Sequence, residues 1–200
     1  MKLLMSPASP FVRKVLVLLH ETKQIDDVVM QSVQAGIGNT EAALKAANPV
    51  GKIPALVRDE GPTLYDSRVI CRFLDARAGA GLYPENGWDS LVLESTADAL
   101  MDAAVLMVYE ARFRPEEKQS PDWVENQWIK VEGALDALNS RWLSHLEAPL
   151  DIGHIAVASA LGYLDFRHDA RSWRVGRDGL ANWFERFSDR DSMRATVPQG

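Results

Sequence analysis

Asn48-Pro49-Val50-Gly51-Lys52-Ile53-Pro54-Ala55-Leu56 is the stretch on which the fold turns. Three turn-forming residues precede a strand that opens on a proline, where a missing N–H is tolerated. X-Pro bonds are cis in only about 5 to 6% of cases. A cis Ile53-Pro54 bond would turn the N–H and C=O of Ile53 toward an open cleft, where an extended peptide could pair with them as a strand. An ordinary turn made by Pro49 and Gly51 accounts for the same residues, and the spacing does not choose between the two.

Outward from this stretch, residues 1–80 alternate short apolar runs with amphipathic segments, the pattern of an α/β unit. Upstream, Lys2 to Met5 reads as a strand, and Pro10 opens a helix whose stripe is Phe11, Val12, Val15, Leu16, Leu18 and Leu19, ending near Thr22. Val28 to Gln31 follows as a strand and Glu41 to Ala47 as a short helix. Downstream, Ile53 to Val57 is a third strand, Gly61-Pro62 a turn, Thr63 to Tyr65 a fourth strand and Ser67 to Ala78 a helix. After the glycine- and proline-containing linker Gly79 to Pro84, the pattern changes to helices alone. Ser90 to about Arg114, Trp123 to about Leu146, Ile152 to Phe166 and Leu180 to Phe187 carry apolar residues at helical spacing. The expected domains are therefore 1–80, α/β, and 87–200, all helix.

Composition narrows the function. The chain has 200 residues, 46% hydrophobic and 25% charged, enough to bury a core without disulfides or a structural metal. A net charge of −6 disfavours nucleic acid and anionic membrane as partners. The single cysteine, Cys71, excludes an intramolecular disulfide, a Cys-x-x-Cys redox pair and a cysteine zinc cluster, and fits a reducing cytoplasm. The longest apolar run near Met1, Val15 to Leu19, is shorter than the ~7 to 15 residues of a secretory signal, and no segment approaches the ~18 of a membrane span.

Two further stretches carry candidate chemistry. Ser6-Pro7-Ala8-Ser9-Pro10-Phe11 joins the first strand to the first helix, where free N–H groups and the helix dipole favour an anion, and a thiolate would suit it. Ser9 is either a plain helix cap or a hydroxyl facing that anion. With no cysteine at position 9 or 12, any nucleophile must come with the ligand. Leu64-Tyr65-Asp66-Ser67 places an acid and a hydroxyl at another helix start, as a cap or as a seat for the ammonium and carboxylate of an amino-acid terminus.

Together, Ser9-Pro10-Phe11-Val12-Arg13-Lys14, Asn48-Pro49-x-Gly51-Lys52-Ile53-Pro54 and Asp66-Ser67 followed by Ile70 resemble the glutathione transferase superfamily over nearly the whole chain. The resemblance implies a thioredoxin-like domain over 1–80 followed by a helical bundle over 87–200. It makes Ser9 the hydroxyl that donates to the glutathione sulfur, with Ser6 a nearby rival, Ile53 the backbone partner of the cysteinyl unit and Pro54 the cis-proline. Asp66 and Ser67 would take the γ-glutamyl end, Lys52 the glycyl carboxylate, and Phe11 would line the thiol's surroundings. Glutathione would be co-substrate without a metal, a small apolar electrophile the acceptor, detoxification in the cytoplasm the role and a homodimer the assembly. The implied alternatives are a non-catalytic interaction or stress-response module and a glutathione-dependent isomerase or peroxidase. Many members carry Glu-Ser where this chain has Asp66-Ser67.

In the helical half, Asp151-Ile152-Gly153-His154-Ile155 resembles the family's capping box, with Asp151 as cap, His154 in the place of the usual acid and a Leu150 to Ile155 contact beside it. His20, His145 and His168 look dispersed, so no metal site is expected. Met101, Val105, Met107, Val108, Tyr109 and Phe113 are candidates for the electrophile pocket, while Trp123, Trp128, Trp142, Trp173, Trp183 and Cys71 are expected in the core.

Overall fold

The strand Lys2–Met5 (β1) buries Leu3, Leu4 and Met5 in succession, as a strand covered on both faces must. It leads through Ser6–Ser9 into the helix Pro10–Glu21 (α1), where Pro10 gives up an N–H that would be unpaired in any case. Val12, Val15, Val17, Leu18 and Leu19 are buried along it, each worth about 1.5–3 kcal/mol of transfer from water. Val29–Ser32 (β2) runs parallel to β1 with Lys2 opposite Val29 and Met5 opposite Ser32. Ala35–Gly36 (β3) and Asn39–Thr40 (β4) form a separate short ladder, and Ala42–Ala47 (α2) follows. Ala55–Val57 (β5) pairs antiparallel with β1, Leu3 opposite Leu56 and Leu4 opposite Ala55, giving the sheet order β2-β1-β5. The helix Ser67–Ala78 (α3) packs against α1 and ends at Gly79, whose φ of +61° is the left-handed cap that glycine adopts without strain.

The computed structural model describes residues 1–36 and 38–200, in two units: Met1–Pro84 with Asp191–Gly200, and Glu85–Arg190. Residues 191–200, which the sequence reading carries with the helical part, pack on α1 through the short helix Asp191–Ala195, α9 in chain order. The expected strand Thr63 to Tyr65 is reduced to one antiparallel bridge between Leu64 and Leu56. Pro62 lacks a donor and Asp66 already caps α3, so only Leu64 remains to pair.

The second unit is built from Trp88–Phe113 (α4), Pro121–Arg141 (α5), Leu143–Leu146 (α6), Ile152–Arg167 (α7) and Asp178–Ser188 (α8). The expected single helix from Trp123 to Leu146 breaks at Trp142, next to where the Leu180 N–H donates to Asn139 Oδ1 at 3.0 Å. Every residue of α7 from Ile152 to Leu164 is buried, and α4 packs closely along it. A Cβ on Gly153 would meet Leu93 Cβ at 2.8 Å, so only glycine allows that approach. Trp128, Trp173 and Trp183 are core residues as expected, but Trp123 and Trp142 are only half-buried, and Cys71 is fully buried in α3.

Candidate functional site

One end of the small sheet brings the three sequence stretches together. Continuing the β1–β5 register sets Pro54 opposite Met5 and Ile53 opposite Ser6. Continuing the Leu56–Leu64 bridge sets Asp66 opposite Pro54 on the other side. Residues 5–6 and 53–54, more than forty apart in sequence, thus leave the sheet at the same end. Such an edge, beyond the last paired strand residue, offers backbone groups to an extended ligand.

Ser9 is the N-cap of α1, in extended conformation, with its hydroxyl accepting from the Val12 N–H at 3.3 Å. Its own N–H donates to the Ser6 carbonyl at 3.1 Å, closing a tight turn over Pro7 and Ala8. A hydroxyl that accepts keeps its own hydrogen to give, so capping the helix and donating to a thiolate are compatible. No acidic residue lies in the first turn of α1, so the helix dipole there is open to an outside anion. Phe11 is half-buried on the same turn of helix.

The Ile53-Pro54 bond is cis. Asn48, 2% exposed, organises the loop before it in a way the sequence reading missed. Its side-chain amide donates to the Lys52 carbonyl at 2.8 Å and accepts from the Val50 N–H at 3.0 Å, while its carbonyl accepts from Gly51 at 2.8 Å. An asparagine followed two and four residues later by groups it can hold is the signal that could have found it. Gly51 needs its φ of +69° for this turn. The Lys52 side chain is exposed, and Ile53, half-buried, packs with Leu4, Val33, Leu44 and Ala55.

Asp66 follows a second cis bond, Tyr65-Asp66, and caps α3 by accepting from the Arg68 N–H at 3.1 Å. Its other oxygen accepts from Arg68 Nη2 at 3.0 Å. Burial works against the charge on Asp66, but the Arg68 hydrogen bonds and charge, with Lys14 adding its own, hold the carboxyl below its ordinary value. Lys14 is fully buried on α1, and the sequence reading gave it no role. Ser67, 2% exposed, opens the helix beside Asp66.

The segment covering these residues, 8–77, matches the description "Glutathione S-transferase, N-terminal domain", and 121–186 matches "Glutathione S-transferase, C-terminal domain". The chain belongs to the glutathione S-transferase family. Among its relatives in that family is the uncharacterised GST-like protein YibF of Escherichia coli K12, 32% identical over 204 residues, covering 99% of this chain and 98% of YibF. A glutathione transferase family member from Pseudomonas fluorescens Pf-5 with bound glutathione is 46% identical over 100% of this chain and 99% of its own, with a TM-score of 0.96. A structure from the same organism with bound S-(propanoic acid)-glutathione is 45% identical over 100% of both chains, with a TM-score of 0.90. The thioredoxin-like first unit and helical second unit of the transferase fold are thus established for this chain.

In the second unit of this transferase-family chain the expected capping box is present. Asp151 Oδ1 accepts from the His154 N–H, and His154 Nδ1 faces the Asp151 N–H, both at 3.2 Å. His145 is not dispersed, contrary to the sequence reading: its Nε2 lies 2.7 Å from Asp151 Oδ2, because the short α6 carries it back over the start of α7. His154 Nδ1 lies 2.7 Å from Oδ1, and the Ser90 hydroxyl donates to Oδ2 at 2.5 Å. Burial opposes the charge on Asp151, yet bonds from His154, Ser90 and His145 and the His154 charge drive its pKa well below the carboxylate range. His145, Asp151 and His154 bring metal-capable donor atoms within 4.8 Å of one another, a grouping that the sequence spacing did not suggest. Of the pocket candidates on α4, Met101 and Met107 are core, whereas Val105, Val108 and Tyr109 are half-buried and Phe113 is 38% exposed. Tyr109 and Phe113 meet edge to face at 5.2 Å.

Proposed function

We propose that this chain is a glutathione transferase in which the Ser9 hydroxyl donates to the glutathione sulfur, stabilising the thiolate that attacks an apolar electrophile. The observation that carries this reading is Ser9 at the N-terminus of α1 with its oxygen accepting from Val12, a bond that is compatible with the hydroxyl donating to an anion. Ile53, set by the cis-proline Pro54, would pair with the cysteinyl backbone, Asp66 and Ser67 would take the γ-glutamyl end, Lys52 the glycyl carboxylate, and Phe11 would border the sulfur. Donation and the helix dipole both favour S⁻ over SH, lowering the thiol pKa. The thiolate then forms a C–S bond, and the electron pair leaves on the departing group or is protonated after addition.

The Pseudomonas relative bound to a glutathione thioether supports a carbon acceptor over a peroxide. Val105, Val108, Tyr109 and Phe113 remain the candidates on α4 for contacts to an apolar acceptor, by their apolar chemistry and partial exposure. The reading carries with it a cytoplasmic homodimer. The test is calorimetric titration with glutathione, with thiolate absorbance followed against pH on the same sample. Ser9→Ala is expected to raise the bound thiol pKa and cut turnover while glutathione affinity stays within about threefold, since one net hydrogen bond is lost at the sulfur alone. Equal turnover in the variant would move the role to Ser6 or a backbone N–H.

A further inference from the structure

Arg13 sits one helical turn beyond Ser9, and its N–H donates to the Ser9 carbonyl at 3.0 Å. Only 7% of it is exposed, although it is charged. Its guanidinium reaches residues 191–200: Nη2 donates to the Met193 carbonyl at 3.2 Å and Nε approaches Thr196 Oγ1 at 3.5 Å. A planar fork can hold two acceptors at once, which a lysine ammonium on a flexible stem does not reproduce. The same segment is fastened again by the Ser192 hydroxyl, which donates to Glu21 Oε1 at 2.5 Å, and by its own Thr196 Oγ1 to Ser192 carbonyl bond at 2.7 Å. Ser192, Met193 and Thr196 are all buried. From Thr196 the chain continues to Gln199, whose N–H donates to the Pro7 carbonyl at 3.4 Å. Pro7 lies inside the turn that presents Ser9.

We propose that residues 191–200, anchored by Arg13, are a strap that fixes the Ser6–Ser9 turn, and that Arg13 is a positioning residue for the thiolate site. The inference rests on the reading of Ser9 as the thiol's hydrogen-bond donor. Ser9 is held on both sides by one closed circuit: forward through α1 to Arg13, and back through Gln199 to Pro7. A donor aimed at sulfur loses strength steeply with misalignment, so a turn that rocks would raise the thiol pKa before it changed how glutathione binds.

The test uses the full chain with Gln199→Pro, which removes the N–H that reaches Pro7 from an exposed position, and Gln199→Ala, which keeps it. Arg13→Met and Arg13→Lys probe the anchor. Amide exchange of Ser9 and Val12 in the ligand-free protein, and the pH at which bound glutathione ionises, are both read, with glutathione affinity and thermal stability alongside. Gln199→Pro and Arg13→Met should quicken exchange about three- to tenfold, the range one net hydrogen bond supplies, and raise the ionisation midpoint while affinity changes less than about twofold. Gln199→Ala should behave as the parent, Arg13→Lys should fall short of full rescue, and Gln199→Pro should keep the parent's thermal midpoint. Unchanged exchange and unchanged midpoint in both Gln199→Pro and Arg13→Met would overturn the strap. If the parent protein fails to bind glutathione, the functional reading falls, and the exchange data alone decide whether residues 191–200 hold the turn.

Discussion

Replacing Asp151 with alanine is expected to weaken the Glu85–Arg190 unit severely. The carboxylate serves Ser90 Oγ at 2.5 Å, His145 Nε2 and His154 Nδ1 at 2.7 Å each, and the His154 N–H at 3.2 Å. Loss of the helix cap alone is worth about 1 kcal/mol. The buried Ser90 hydroxyl and the half-buried His145 ring, both bonded to Oδ2, would each lose that partner, at about 1–3 kcal/mol apiece. The total is about 3–7 kcal/mol, spanning the ~3–5 kcal/mol that removing one partner of a buried charged network costs elsewhere. At about 2–4 °C per kcal/mol for a chain of this size, the melting midpoint should fall by roughly 6–28 °C. Urea unfolding followed by tryptophan fluorescence at neutral pH measures the loss, and a double-mutant cycle with Ser90→Ala should show strong coupling. Because the native pKa of Asp151 lies below its ordinary 3.8, its contribution is complete above that value and is lost as pH falls beneath it. The gap between the parent and Asp151→Asn should therefore narrow in acid. A loss under about 1 kcal/mol for Asp151→Ala would refute the reasoning, since that is no more than an exposed cap provides.

Gly153→Ala gains helix propensity but drives a methyl into Leu93 Cβ, and calorimetry should show a net destabilisation of about 1–3 kcal/mol; a gain in stability would mean α4 can retreat. Asp66→Asn keeps the cap oxygen and removes the charge, so glutathione affinity should weaken about tenfold in a titration, the worth of one charge-assisted bond. Unchanged affinity would place the γ-glutamyl ammonium elsewhere. His168, half-buried with Nε2 at 2.9 Å from the Ala104 carbonyl, has its pKa lowered chiefly by burial, outweighing the bond that opposes it. Its contribution is therefore present above the ordinary 6.5 and lost as pH falls below it, and His168→Gln should flatten the stability profile in that window. An identical slope in the variant would assign the acid sensitivity to other groups.

Much of this was legible in the sequence, for reasons that differ from place to place. Pro10 after Ser9, Asp66 before Ser67 and Asp151 before Ile152 marked three helix starts, because capping is local chemistry and needs no tertiary partner. The helices of the second unit were readable from apolar spacing for the same reason. What escaped were features made by distant segments: His145 folded back on Asp151, Asn48 bonded across its loop, and residues 191–200 laid along α1. Arg13 and Lys14 lie outside the apolar stripe read for their helix, and nothing in their spacing signals that both are buried. The two-residue ladder of β3 and β4 is too short to carry any periodic signal.

Cys71 lies at 0% exposure inside α3, and it is the only sulfhydryl the chain possesses. In a family named for a thiol tripeptide, that burial separates the protein's own sulfur from the sulfur it would handle. Oxidised tripeptide could not form a mixed disulfide with the folded chain, because the attacking thiolate has to be reachable. Stability should therefore be indifferent to the redox state of the surrounding thiol pool. The same seclusion leaves a quiet background for site-specific labelling: a cysteine introduced on the surface would be the only one a maleimide dye could find without unfolding the molecule.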